Sequence, residues 1–142
     1  MCGFAGFYIS SDHSRQSLIN QVNIMSDSIA HRGPDDSGSW VDEEIGLALG
    51  HRRLSIIDVS SAGHQPMYSK NRRFVIAYNG EIYNHKELRA ELDALNNNRI
   101  WNGTSDTETL LASFEEWGVE ETLSKLVGMF AISLWDQKQK KF

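Results

Sequence analysis

The chain contains a single cysteine, Cys2, in 142 residues. That excludes an internal disulfide framework and makes a reducing cytoplasm the expected compartment. No apolar run approaches the ~20 residues of a membrane-spanning helix, and the start lacks a basic segment followed by an apolar one. Positive charge is not in excess: 14 Lys and Arg against 19 Asp and Glu give a formal net charge of −5. Neither nucleic acid nor an anionic membrane is therefore the expected partner. The five histidines, at 13, 31, 51, 64 and 85, have no HxxxH spacing and CxxC is absent, so no metal site is expected. The phosphate-loop patterns GxxxxGKS, GxxxxGKT and GxGxxG are also missing, and there is no internal repeat or low-complexity stretch. What the chain does have is 40% apolar and 10% aromatic residues, enough for one domain over residues 1–142 with a core.

The hydrophobic pattern is mixed α and β. Residues 4–9 predict a buried first strand. Leu18, Val22, Met25 and Ile29 fall on one face of a helix over residues 17–31. Gly33 and Pro34 are expected to stop it, with Gly33 in a left-handed cap. Residues 45–51, 74–78 and 129–135 read as strands, 99–101 as a short further one, and 60–66 as turn. Asn84 with Glu87, and Ser105 with Glu108, have capping-box spacing. The helices that follow would bury Leu88, Leu92 and Leu95, then Leu110, Leu111, Phe114 and Trp117. Gly118 ends the second, and residues 119–127 predict another helix.

Cys2 stands where removal of Met1 would place a thiol and a free α-amine on one residue. A thiol with a pKa of about 8.5 is only a few per cent ionised near neutral pH, and an α-amine near 8 is a suitable base beside it. The competing reading is a small buried hydrophobe at the start of a strand. Four polar segments, three of them glycine-containing, adjoin strand ends: HRGPDDSG (residues 31–38), GHRRLSIID (50–58), YNGEIYN (78–84) and SDTE (105–108). Each also has a purely structural reading, respectively a helix stop, a charged strand, a hairpin turn and a capping box.

With the N-terminal Cys and in this order, the motifs resemble the glutaminase (class II glutamine amidotransferase) domain of glutamine-hydrolysing asparagine synthetases, an N-terminal-nucleophile hydrolase. The resemblance covers essentially the whole chain. It implies an α+β fold, the four-layer α/β/β/α sandwich of that class. It also implies hydrolysis of the glutamine side-chain amide through a thioester on Cys2, with Asn79 (side-chain amide) and Gly80 (backbone N–H) as the oxyanion hole. Such donors are each worth a few kcal/mol in a transition state. Arg53, the arginine just before Leu-Ser-Ile, would pair with the substrate α-carboxylate, while Arg52 would form a surface ion pair. Backbone groups of Leu54 and Ile56 would hold the substrate in register, and Asp106 with Glu81 would accept its α-ammonium. The segment around His31, Gly33 and Pro34 would close near the site without supplying acid or base.

No cofactor is implied for glutamine hydrolysis. ATP and Mg would serve a synthetase domain, the partner to which ammonia passes for asparagine synthesis from aspartate. In that family the chain continues with another strand that completes the domain, followed by the synthetase domain. Ending at Phe142 is therefore expected to leave an incomplete sandwich with an exposed sheet edge, prone to homo-oligomerisation. Two alternatives stay open: an inert structural module of this fold, or an amidotransferase domain serving another acceptor, in polysaccharide or natural-product pathways.

Overall fold

The computed structural model describes residues 2–10 and 12–142. The elements among them run β1 (Gly3–Tyr8), α1 (Arg15–Ser28), β2 (Asp36–Asp42), β3 (Leu47–Arg53), β4 (Met67–Tyr68), β5 (Phe74–Ile82), α2 (His85–Leu95), α3 (Asp106–Trp117), α4 (Val119–Lys125) and β6 (Gly128–Asp136). The strands form two antiparallel sheets, ordered β1-β3-β2 and β4-β5-β6.

The period-2 alternation of side chains builds the layers. In β3, Ala48 packs with Leu18 and Val22 of α1, whereas Leu47 and Leu49 face Val75 and Trp135 of the other sheet. In β5 the even positions Phe74, Ile76 and Tyr78 turn the opposite way, onto Leu88 of α2 and Leu110, Leu111 and Phe114 of α3. The order α1, sheet, sheet, α2–α3 is the expected α/β/β/α sandwich. Leu18, Val22, Val75 and Ile76 are all fully buried.

Several local expectations are corrected. Strand β5 runs four residues further than predicted, so Asn79 and Gly80 pair with Ala131 and Phe130 inside a strand and form no hairpin turn. Gly80 has φ +156°, and a Cβ there would collide with the Met129 carbonyl. The second half of HRGPDDSG is strand β2 rather than loop. Helix α1 stops at Ser28, and Gly33 has φ −149°. Its lack of a side chain serves close contact with the Arg52 backbone, not a left-handed cap. Asn84 does not cap α2 with its side chain. It bridges to the segment before β6 instead, donating to Lys125 O at 2.9 Å and accepting from Val127 N at 2.9 Å.

At the start of α3 the Ser105 half of the box forms, with Oγ accepting from Glu108 N at 3.2 Å. The Glu108 carboxylate instead takes the N–H groups of Asn102 (2.7 Å) and Gly103 (3.0 Å). Residues 99–101 are not a strand; Arg99 pairs with Glu116 and Trp101 Nε1 donates to Asp93.

His51 continues the inward row of β3 after Leu47 and Leu49 and is fully buried. Its Nε2 lies 2.9 Å from Tyr78 O. A carbonyl only accepts, so Nε2 carries the proton and joins the two sheets. Burial lowers the imidazole pKa from 6.5 to about 4, against the opposing effect of the Tyr78 carbonyl. Between those values the unfolded chain binds a proton that the folded chain does not. Stability is therefore complete above pH 6.5 and falls as the pH drops toward 4. Urea unfolding is expected to show about 2 kcal/mol less stability at pH 5 than at pH 7, a loss that shrinks in His51→Gln. The same pH dependence in both proteins would contradict this assignment.

Candidate active site

Strand register brings Cys2 to its neighbours. Gly3 lies opposite Arg52, so Cys2, one residue earlier, falls beside Arg53. Leu54 N–H donates to Cys2 Sγ at 3.3 Å, and the sulfur is 3.5 Å from Leu54 O. These Leu54 backbone groups, expected to meet the substrate, thus contact the sulfur. Arg32 fixes the other side of Cys2, its Nε donating to Cys2 O at 3.0 Å. Asp35 N–H donates to Arg53 O at 3.0 Å, and Asp35 Oδ2 accepts from Ser55 N at 2.8 Å. The HRGPD segment therefore braces the Cys2–Arg53 end of the first sheet, while His31 itself is exposed. Met1, on whose removal the amine argument depends, lies outside the described residues.

Neighbouring arginines separate by strand alternation. Arg52 turns toward α1 and pairs with Asp27. Arg53 continues the inward row through His51 and is only 7% exposed. Its Nη1 donates to Ser60 O at 2.8 Å and its Nη2 to Asp58 O. Two carbonyls thus set the plane of the guanidinium, and three of its five N–H donors remain.

On the second sheet Tyr78 ties several parts together. Its N–H donates to Gln65 Oε1 at 2.7 Å, its C=O accepts from His51, and its hydroxyl donates to Asp106 Oδ2 at 2.7 Å. Ile82 N–H donates to the same Asp106 oxygen at 3.0 Å, which leaves Oδ1 for another donor. Burial, and then the Asp106 charge, push the Tyr78 phenol well above its ordinary value, so it stays a donor. The N–H groups of Tyr78 and Ile82 both point away from β6. The alternation of the ladder therefore turns the Gly80 N–H between them to the same open edge.

Cys2, Arg53, Leu54, Ile56, Asn79, Gly80, Glu81 and Asp106 all line one cleft of about 160 Å³. That lies below the ~300–1,000 Å³ of drug-sized sites and suits one small molecule. A thiol and an amide donor, with a cation and a carboxylate in the same cleft, are what attack on the side-chain amide of an α-amino acid requires. Sequence reasoning passed over Tyr78, His51, Gln65 and Asp58. His51, Asp58 and Tyr78 stood inside motifs already singled out, but nothing local marked which groups they would meet. Asp58 is held down to about 2 by the Ser60 hydroxyl and the Thr104 N–H. Tyr78→Phe removes one of two donors to a buried carboxylate. It is expected to cost about 1–3 kcal/mol in urea unfolding; no measurable loss would show that Asp106 is satisfied otherwise.

A family model described as a glutamine amidotransferase domain matches residues 1–142. Glutamine-hydrolysing asparagine synthetase 1 of Bacillus subtilis is 45% identical over 141 residues, covering 96% of this chain and 21% of the relative. Asparagine synthetase B of Escherichia coli is 43% identical over 143 residues, covering 100% and 24%. The chain spans about a fifth to a quarter of the length of these relatives. Among solved structures, the glutamine phosphoribosylpyrophosphate amidotransferase of B. subtilis superposes with a TM-score of 0.70 at 21% identity, over 96% of this chain and 35% of that one. That likeness shows a shared fold. By its sequence over its whole length, the chain belongs to the glutamine amidotransferase domain family.

Proposed function

We propose that this domain hydrolyses the side-chain amide of glutamine and releases ammonia, with Cys2 as nucleophile. The observation that carries the reading is the cleft itself, where Cys2, the Asn79–Gly80 pair, Arg53 and Asp106 converge. Arg53 takes the α-carboxylate. Asp106, aided by Glu81, takes the α-ammonium, so the side chain lies toward Cys2. Sγ attacks the amide carbon as the thiol proton passes to the Cys2 α-amine. The Asn79 side-chain amide and Gly80 N–H receive the negative charge on the amide oxygen. Collapse breaks the C–N bond, the protonated amine returns its proton to the leaving nitrogen, and ammonia departs. Water then attacks the thioester and yields glutamate with the free thiol.

In a longer protein the ammonia serves ATP- and Mg-dependent synthesis of asparagine from aspartate by an attached synthetase domain. The names of the two bacterial relatives, and the fraction of each that this chain matches, support that acceptor. A cytoplasmic setting fits the single cysteine. Homo-oligomerisation fits the exposed Met129 and Phe130 on β6, at the edge of its sheet.

Intact mass and ammonia release test the core of the reading together. Protein lacking Met1 is expected to release ammonia from glutamine, and Cys2→Ala is expected to lose at least ~10³-fold in rate. Protein retaining Met1 is expected to be inactive. Equal rates with and without Met1 would remove the α-amine from the mechanism, and an active Cys2→Ala would remove Cys2.

A further inference from the structure

Asp58 connects the segment that holds Arg53 to the segment that precedes Asp106. The loop after β3 wraps the Arg53 guanidinium with the carbonyls of Asp58 and Ser60, so Arg53 and this loop move together. The Asp58 carboxylate then spans two segments. Its Oδ1 accepts from Ser60 N at 2.8 Å and Ser60 Oγ at 2.6 Å. Its Oδ2 accepts from Thr104 N at 2.8 Å and Thr104 Oγ1 at 3.5 Å. Thr104 stands two residues before Asp106, and Ser105 between them caps α3. A single carboxylate therefore links the segment that orients Arg53 to the segment that starts the helix carrying Asp106.

The surroundings are arranged around that carboxylate. Asp58 is 7% exposed, whereas Ile56 and Val59 of the same loop are 71% and 80% exposed. The loop thus gains little anchorage from its apolar residues. Gly103 lies against Asp58, and a Cβ there would collide with Asp58 Oδ2 and press on Ala62. Arg89 holds the far side of the 103–105 segment, donating to Gly103 O at 2.9 Å.

We propose that Asp58 is a positioning residue that makes the carboxylate clamp at Arg53 and the ammonium clamp at Asp106 act as one unit. The inference rests on the glutaminase reading above and adds to it the origin of selectivity for a substrate bearing both α-groups. Capture of the α-carboxylate fixes the Arg53 loop, and through Asp58 the same event fixes the start of α3. Each clamp then binds more tightly when the other is occupied, which is a coupling between two sites in one cleft.

The test compares L-glutamine with glutaramate, which has the amide and the carboxylate but no α-ammonium. In Asp58→Asn the side chain keeps its size but loses its charge and one acceptor oxygen, so it no longer serves both segments. The glutamine KM is expected to rise about tenfold, with kcat within about threefold of wild type. The preference for glutamine over glutaramate is expected to fall at least about fivefold. Gly103→Ala, which displaces the carboxylate without altering it, is expected to reproduce the pattern. The same ratio read as dissociation constants by calorimetry in Cys2→Ala protein supplies a measure independent of turnover. A purely structural role would depress both substrates equally and leave the preference unchanged. That result, with wild-type protein hydrolysing glutamine normally, overturns the proposal alone. Failure of wild-type protein to hydrolyse glutamine and of Cys2→Ala to bind it overturns both readings.

Discussion

The hydrogen bond from His51 Nε2 to Tyr78 O fastens one sheet to the other at the floor of the cleft. Its geometry sets where the remaining parts fall. Two residues along β3 stands Arg53, and the strand paired with β3 delivers Cys2 to it. One residue along β5 stands Asn79, then Gly80. The proposed chemistry is thus divided between two sheets, with Cys2 and Arg53 on one and the Asn79–Gly80 donors on the other. It works only if their separation and twist are fixed. Burial keeps His51 neutral above about pH 4; a charged imidazole there would face Arg53 without solvent.

The open edge of β5 is the second constraint. Strand β4 pairs only with Val75 and Ile76, so beyond it the strand's N–H and C=O groups must find other partners. Buried backbone groups left unpaired are costly. Gln65, His51 and Asp106 take the Tyr78 and Ile82 groups. The edge at Gly80, between them, adjoins the cleft. A short neighbouring strand, compensated on either side by side chains, opens a backbone donor to a ligand without leaving its neighbours unsatisfied.

Much of this was legible in the sequence where the signal is periodic or where a residue type has few uses. Leu18 and Val22 of α1, the apolar row of α3, the Gly118 stop and the adjacent but opposed arginines follow from spacing, whereas Met25 and Leu95, expected on buried helix faces, are exposed. The identity of the eight cleft residues followed from motifs rather than from periodicity. The misreadings share a cause. Asn-Gly is a strong hairpin signal locally, yet here cross-strand pairing with β6 carries the strand straight through it. Gly33 and Asn84 have the residue types of caps but serve tertiary contacts, with the β3 backbone and the segment before β6. Asp58 and Tyr78 act through groups 46 and 28 residues away, a distance at which local pattern carries no information.

The central claim is that one cleft holds glutamine by both α-groups and presents its amide to Cys2. A crystal structure of Cys2→Ala protein lacking Met1, grown with L-glutamine, tests this most directly. The account expects the α-carboxylate on Arg53, the α-ammonium on Asp106 and the amide oxygen within hydrogen-bond distance of Gly80 N and the Asn79 side chain. Glutamine bound in the reverse direction, or bound outside the cleft, would contradict it.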